Sequence, residues 1–278
     1  MWRVFRRDYL SLLALAIILL IAIACAFAPQ LTRYPEQGEG LPNLGERLQA
    51  PSKAHILGTD ELGRDLLARI LYGGRASLSL GILVVLIAAL IGTPLGMVAG
   101  YYGGWIGQLI MRLTDLFLSF PALLLAIAIS AALGPSFTNA MIAIALTWWP
   151  QYTRLVRAQA VSVRESAFVE AARTIGVHSI TIILRHILPN IISVVIIQAT
   201  MDMGAAVLMG SALSFIGLGI QPPKADWGNM LTSARIYFSE APWFAMYPGM
   251  VLLIVALCFN LLGDGLRDIV DPQSRRQG

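Results

Sequence analysis

Charge is what this sequence has least of. Of its 278 residues only 13% are Asp, Glu, Lys or Arg, about half the share of an ordinary soluble domain. That deficit points to a membrane protein before any motif is read. Cysteine is scarce too. The two present, Cys25 and Cys258, both sit in apolar runs, which excludes a disulfide framework and a cysteine-type metal site. The three histidines, His55, His178 and His186, are scattered and form no HExxH pair, so they read as polar or packing residues and no metal site is expected. No GxxxxGK[ST] loop is present, which excludes ATP binding through a P-loop. The net charge is a modest +4. Basic residues flank the apolar runs instead of forming one patch, so nucleic-acid binding is excluded as well.

What the chain has is apolar length: 57% hydrophobic residues and a mean hydropathy of +0.71. A spanning helix needs about 20 mostly apolar residues. The runs predict spans near 10–28, 78–99, 116–133, 135–152, 191–220 and 245–262. The first resembles a signal peptide in its leading Arg3, Arg6 and Arg7 and its terminal AFA. It exceeds the usual 7–15 apolar residues, and Pro29 is a poor neighbour for cleavage, so it reads as a retained anchor. Trp148 and Trp149 suit a membrane interface. Gly204 and Gly210 in the long fifth run favour tilt or close helix packing. Gly92, Pro94 and Gly96 fit a gating kink or close packing equally well.

Six spans put both termini on one side, and arginine decides which. With the N-terminus inside, Arg3, Arg6, Arg7, Arg112, Arg154, Arg157, Arg164, Arg173, Arg185, Arg267, Arg275 and Arg276 are cytoplasmic. The two short outer connections hold only Lys224 and Arg235. The expected organisation is a cytoplasmic N-terminus (1–9), a first transmembrane helix (10–28) and an extracytoplasmic loop (29–77). A five-helix transmembrane domain (78–262) follows, with a cytoplasmic loop at 153–190, and then a cytoplasmic C-terminus (263–278). The fold class is all-α.

The loop contains the segment EAARTIGVHSITIILRHILPN, 170–190. Ala171, Ala172 and Arg173 favour helix, Gly176 suits the left-handed turn that ends one, Ser179 can cap the next, and Pro189 marks its end or a kink. The small pair Ala171–Ala172 permits close approach, and Glu170 offers a charge. A docking knob for a soluble partner and a mere charged connector both fit this chemistry.

Recognition comes from the spacing. Glu170, Ala171, Ala172, Gly176, Leu188 and Pro189 resemble the EAA loop of ABC importer permeases, with His186 where isoleucine is usual. LGTDELGRDLLARILYGGRASL (57–78), SFIGLGIQPPKADWGNML (214–231) and NLLGDGLRDIVDP (260–272) resemble collinear signatures of the dipeptide/oligopeptide/nickel permeases. The resemblance identifies a second permease subunit of such an importer, of the type I fold, in a bacterial inner membrane. It implies a homologous but non-identical permease partner, two separate ATPase subunits and an extracytoplasmic binding protein. It also implies a cytoplasmic coupling helix near 166–178, carried by Glu170, Ala171, Ala172 and Gly176. The chain itself would hold no cofactor and do no chemistry. Di- or oligopeptides fit best as substrate; nickel and opine systems share the signatures.

Asp202 is the clear ionisable group deep in a span, and so is the candidate pathway residue. A hydrogen bond to a neighbouring helix or to the partner permease is the weightier alternative, because the family often has aspartate there. Asp60 and Asp65 read as turn or cap residues, or as docking contacts for the binding protein. Arg112 and Asp115 are spaced for an i,i+3 pair. Met201, Met203 and Met209 read as packing residues and not as soft-metal ligands. A membrane-embedded enzyme would need a nucleophile–base pair or metal ligands at depth, and Asp202 has neither beside it in sequence.

Overall fold

A computed structural model describes residues 8–270. Arg3, Arg6, Arg7, Arg275 and Arg276, which carry part of the orientation argument, lie outside the described residues. Within them the regular structure is helical; the β-type pairing is one isolated bridge between Thr59 and Asp65. In a bilayer every backbone polar group must be satisfied within its own segment, which favours this outcome.

Helix α1 (Tyr9–Ala26) starts where the Asp8 carboxylate accepts the Leu10 N–H at 3.2 Å. After short helical turns at Ala28–Leu31 and Pro35–Glu39, the chain winds back to Asp65, whose side chain accepts the Ala68 N–H at 2.8 Å. Helix α2 (Leu66–Tyr102, 37 residues) follows. At 1.5 Å per residue it is about 55 Å long, against a hydrocarbon core of about 30 Å. The outer loop expected over 29–77 therefore ends in helix. Arg69, Arg75 and the Gly73–Gly74 pair lowered the apolar signal there, yet Leu66, Arg69, Gly73 and Gly74 are all buried.

The expected third span, 116–133, is not one helix. Helix α3 (Gly104–Leu118) and helix α4 (Ala122–Leu133) meet at 87°. Pro121 stands in the break; it has no N–H to continue a helix and disfavours helical geometry in the residue before it. Helix α5 (Phe137–Arg164) continues past the expected end at 152. A short helix α6 (Ala167–Thr174) precedes a helical turn at Ser179–Ile182 and one π-helical turn at Ile183–Ile187. Helix α7 (Leu188–Phe215) ends at a left-handed Gly217, where the Leu218 N–H reaches the Leu213 carbonyl at 2.9 Å. Helix α8 (Trp227–Ala234) and the closing helix α9 (Pro242–Val270) complete the described chain.

Small residues set the directions of packing. A Cβ on Gly92 would stand 2.5 Å from the Trp149 carbonyl oxygen, on Gly96 2.7 Å from that of Thr153, and on Gly100 2.9 Å from that of Arg157. Three glycines at spacing four thus let α2 lie directly on the α5 backbone. The triplet serves close packing. Both helices ascend together, so they run parallel, and α3 and α4 must carry the chain back between them. Helices α7 and α9 run antiparallel: Gly204 packs on Ala256, and Gly263 on Met201. At one end of the bundle lie the start of α1, the ends of α2 and α9, and α6; the Ser11 hydroxyl bonds the Asp8 carboxylate and the Leu261 carbonyl there. At the opposite end Arg75 donates to the carbonyls of Cys25 and Ala26 at 2.6 and 2.7 Å, tying α1 to α2.

Four helical stretches are long and apolar enough to cross a membrane: α1, α2, Ser179–Phe215 and Pro242–Asp268. The bent α3–α4 pair makes a fifth if counted as one span. Helix α5 falls below that apolarity because its second half carries Gln151, Arg154 and Arg157.

Candidate functional site

Helix α6 is amphipathic within eight residues. Val169 and Ala172 are buried against the bundle, while Phe168, Glu170, Ala171 and Ile175 are exposed, Ile175 to 80%. Its end is a complete Schellman turn. Gly176 takes φ +81°, its N–H reaches the Arg173 carbonyl at 3.0 Å, and the Val177 N–H reaches the Ala172 carbonyl at 3.0 Å. Ala172 and Val177 both pack on the same apolar core.

The Arg173 guanidinium of α6 lies 4.7 Å from the Tyr101 ring centre of α2. Just before α6, Arg164 at the end of α5 donates to the Gly100 carbonyl at 3.1 Å. The Tyr101 hydroxyl bonds the Ser179 hydroxyl at 3.3 Å, so the end of α2 touches both sides of the turn. Two local expectations are corrected. His178, not Ser179, occupies the cap position, with Ser179 the first helical residue. Ala172 faces inward and belongs to the core, so the small pair is divided: Ala171 is exposed and Ala172 is not. The exposed apolar stripe is Phe168, Ala171 and Ile175, at i, i+3 and i+7. Phe168 and Ile175 were missed in the sequence, although helical spacing from Ala171 selects them. At Pro189, which lacks an N–H, the π turn takes up the disturbance and the Asn190 side chain donates to the His186 carbonyl at 2.6 Å.

Asp202 lies on α7 between Gln198, which donates to its Oδ1 at 2.9 Å, and Tyr152 of α5. Its Oδ2 and the Tyr152 hydroxyl, both buried, have no well-formed hydrogen-bond partner among the described residues. This is a small polar island between two helices of the same chain. Among the described residues no group of three His, Cys, Asp or Glu side chains could hold a metal ion.

The segment 57–78 is a folded clasp. Asp60 and Asp65 are 1% and 3% exposed. Asp60 accepts the N–H groups of Leu62 and Arg64, each at 2.9 Å, and pairs with Arg64 Nε at 2.6 Å. Asp65 caps α2 and holds His55 Nδ1 at 2.9 Å; His55 Nε2 lies 3.1 Å from Glu46, and its ring stacks on Tyr34. Asp60 and Asp65, the candidate docking contacts, both have their carboxylates enclosed by their own loop in the described chain. Burial, with Asp60 beside it, pushes the Glu61 carboxyl above its usual range. Asp115 does not pair with Arg112; it meets Arg154 of α5 at 2.7 Å.

Comparison with known proteins adds to this geometry. Residues 92–276 match the family described as binding-protein-dependent transport system inner membrane component. Residues 1–51 match the N-terminal TM domain of oligopeptide transport permease C. The chain is 46% identical over 272 residues to the dipeptide transport system permease protein DppC of Alkalihalophilus pseudofirmus, covering 97% of this chain and 88% of that protein. It is 42% identical to the glutathione transport system permease protein GsiD of Pectobacterium atrosepticum, covering 98% and 90%. It is 44% identical to a probable D,D-dipeptide transport system permease protein, DdpC, of Escherichia coli, covering 95% and 88%. Its fold resembles a chain of the inward-facing MetNI methionine ABC transporter, with a TM-score of 0.59 at 16% identity over 73% of this chain and 97% of that one. A chain of an amino acid ABC transporter gives 0.54 at 18% identity, over 75% and 94%.

Proposed function

The chain belongs to the inner membrane components of binding-protein-dependent transport systems, and from that premise we propose that it forms, with a homologous second permease, the translocation pathway of an ATP-driven importer of di- or oligopeptides. The names of its relatives support the substrate class: dipeptides, D,D-dipeptides and glutathione are all peptides. Two ATPase subunits would hydrolyse ATP, and an extracytoplasmic binding protein would deliver the peptide.

The observation that carries the reading is α6: a short helix whose Arg173 guanidinium lies against Tyr101 of α2, with Phe168, Ala171 and Ile175 facing out. We place it in the cytoplasm with both termini. Arg154, Arg157, Arg164, Arg173 and Arg185 then lie on the positive side. The parallel run of α2 and α5 supports six crossings, with α3–α4 as the bent third and α5 as the fourth. Its arginines would sit at the inner boundary. Closure of the ATPases on ATP would push α6, and the Tyr101 and Gly100 contacts would carry the movement into α2.

The test is reconstitution of this chain with the second permease, the two ATPase subunits and the binding protein in proteoliposomes with a labelled dipeptide. ATP-dependent uptake that requires the binding protein is expected; no uptake of any short peptide would overturn the substrate class. A cysteine at Ser52 should react with an impermeant reagent on intact spheroplasts and one at Ser166 should not. The reverse pattern would overturn the orientation.

A further inference from the structure

At the bundle end opposite α6 lies an open cleft of about 700 Å³, within the range of about 300–1,000 Å³ typical of small-ligand sites. Its walls come from four separate parts of the chain: the turn at 38–39, the outer part of α2, the start of α5 and the 220–225 segment. A second hollow of about 320 Å³ adjoins it, sharing Phe137, Ile220 and Lys224.

The lining carries opposite charges that are not spent on each other. Glu39 and Lys224 both face the cleft, and neither makes a hydrogen bond or ion pair within the described chain. The lining also carries the apolar side chains of Tyr72, Phe137 and Ile220. Arg75 also lines the cleft, but its Nε and one Nη are committed to the end of α1, and it lies 5.0 Å from the Tyr72 ring centre. It acts as a wall.

The two charged walls are locked together. Arg69, 3% exposed, donates from one Nη to the Gly38 carbonyl at 3.2 Å and to the Pro223 carbonyl at 2.8 Å. A Cβ on Gly40 would stand 2.8 Å from the Pro223 Cβ, so the two backbones touch. Residues 39 and 224 each lie one step along the chain from these contacts. The backbone on which each charged side chain stands is therefore held by the fold before any ligand arrives, which lowers the ordering cost of binding.

We propose that this cleft is a receiving subsite for a zwitterionic short peptide on the outer face of the permease: Glu39 takes the peptide's ammonium group, Lys224 takes its carboxylate, and Tyr72, Phe137 and Ile220 hold the side chains. The proposal rests on the reading of the chain as a peptide-importer permease. The adjoining hollow beyond Lys224 leaves room for a side chain next to the carboxylate.

A photoreactive dipeptide, alanyl-(p-benzoylphenylalanine), tests it on the assembled transporter in phosphatidylcholine nanodiscs. Cross-links are expected in tryptic peptides carrying Tyr72, Phe137 or Ile220. Alanylphenylalanine should compete and its N-acetyl amide should not. Glu39→Gln and Lys224→Gln should each lower labelling by about twofold to fivefold, the scale of a single exposed charge contact, while the complex stays assembled. Labelling unchanged in both variants, or equal competition by the blocked peptide, would overturn the subsite. Loss of labelling when phosphatidylethanolamine is added to the disc would overturn it in favour of a lipid headgroup. ATP-dependent uptake of alanylphenylalanine by the same complex separates the two levels. Absence of uptake removes the importer reading beneath the proposal; uptake without cleft labelling removes the subsite alone.

Discussion

The Val177 N–H donates to the Ala172 carbonyl at 3.0 Å, closing the turn around Gly176. That bond fixes where α6 stops and hands the chain to the π turn leading into α7. It exists because Gly176 holds φ at +81°, a region that costs an ordinary residue about 1–2 kcal/mol. Among the described residues, its own chain neighbours aside, no atom lies within 4 Å of a Cβ built on Gly176. The cost of a substitution there is therefore conformational and not steric.

Gly176→Val should strain or open the turn and weaken ATPase association or uncouple hydrolysis from uptake. Gly176→Asn, which tolerates the left-handed region, should be milder, although both side chains have room. Bound ATPase, hydrolysis stimulated by the loaded binding protein, and uptake would be measured side by side. Equal, normal values for both variants would remove the turn from the coupling path.

The exposed stripe gives a different test, because it disturbs little of the chain's own packing beyond the Phe168–His186 ring contact at 6.2 Å. Phe168→Asp and Ile175→Asp place charge on side chains that are 49% and 80% exposed. The thermal midpoint of the permease pair should move little. ATPase binding should weaken by about tenfold or more for the pair of changes, the scale of losing a central apolar anchor. Ala172→Leu behaves oppositely: its Cβ direction is into the core, so overpacking of about 1–3 kcal/mol is expected there. A stable Ala172→Leu permease that loses only its ATPases would contradict the inward placement.

Much of this was legible in the sequence, and the exceptions have physical causes. The Gly176 turn needs one residue type at one place, so it shows in a single letter. The start of α2 does not, because Arg69 and Arg75 mimic a loop until their carbonyl partners are seen. Pro121 was present in the sequence, but nothing local says whether a proline bends a span or ends it. Asp115 chose Arg154 across two helices over Arg112 three residues away, a choice made by packing direction. Amphipathicity over eight residues cannot say which of Ala171 and Ala172 faces in until the bundle is there. The cleft at Glu39 and Lys224 joins residues from opposite halves of the chain, and no spacing rule links them.

Asp202 sits between Gln198 and Tyr152 of its own chain, which favours a structural role. Asp202→Asn and Tyr152→Phe should each lower the thermal midpoint of the purified complex, by an amount equivalent to about 1–3 kcal/mol for a disturbed buried polar group. The double variant should cost less than the sum, because the two side chains share one contact. Transport by the surviving complexes should keep its preference among peptides. A stable Asp202→Asn complex that has lost transport of peptides with a free amine would assign Asp202 to the pathway instead.

Asp226 caps α8 from a buried position: its Oδ1 accepts the Ser77 hydroxyl at 2.7 Å and its Oδ2 accepts the Asn229 N–H at 3.1 Å. Burial pushes its carboxyl above the usual range, and the hydrogen bonds from Ser77, Ser214, Asn229 and Gly228 offset only part of that. A raised value means the folded state holds the proton more readily than the unfolded one. The associated stabilisation is full below the unfolded value of about 3.9 and is lost as pH rises through the folded value. Asn at this position keeps an oxygen for the cap and carries no charge at any pH. Asp226→Asn should therefore flatten the pH dependence of thermal unfolding on the alkaline side of that window, with little loss at neutral pH. Asp226→Ala removes the cap, costing about 1 kcal/mol, and leaves the buried Ser77 hydroxyl without its acceptor, so it should be the more damaging at every pH. Thermal midpoints of both variants and the parent, taken from pH 5 to pH 8, decide the matter. A larger loss for Asn than for Ala would mean that the charge itself, held by its four donors, is what this site stabilises.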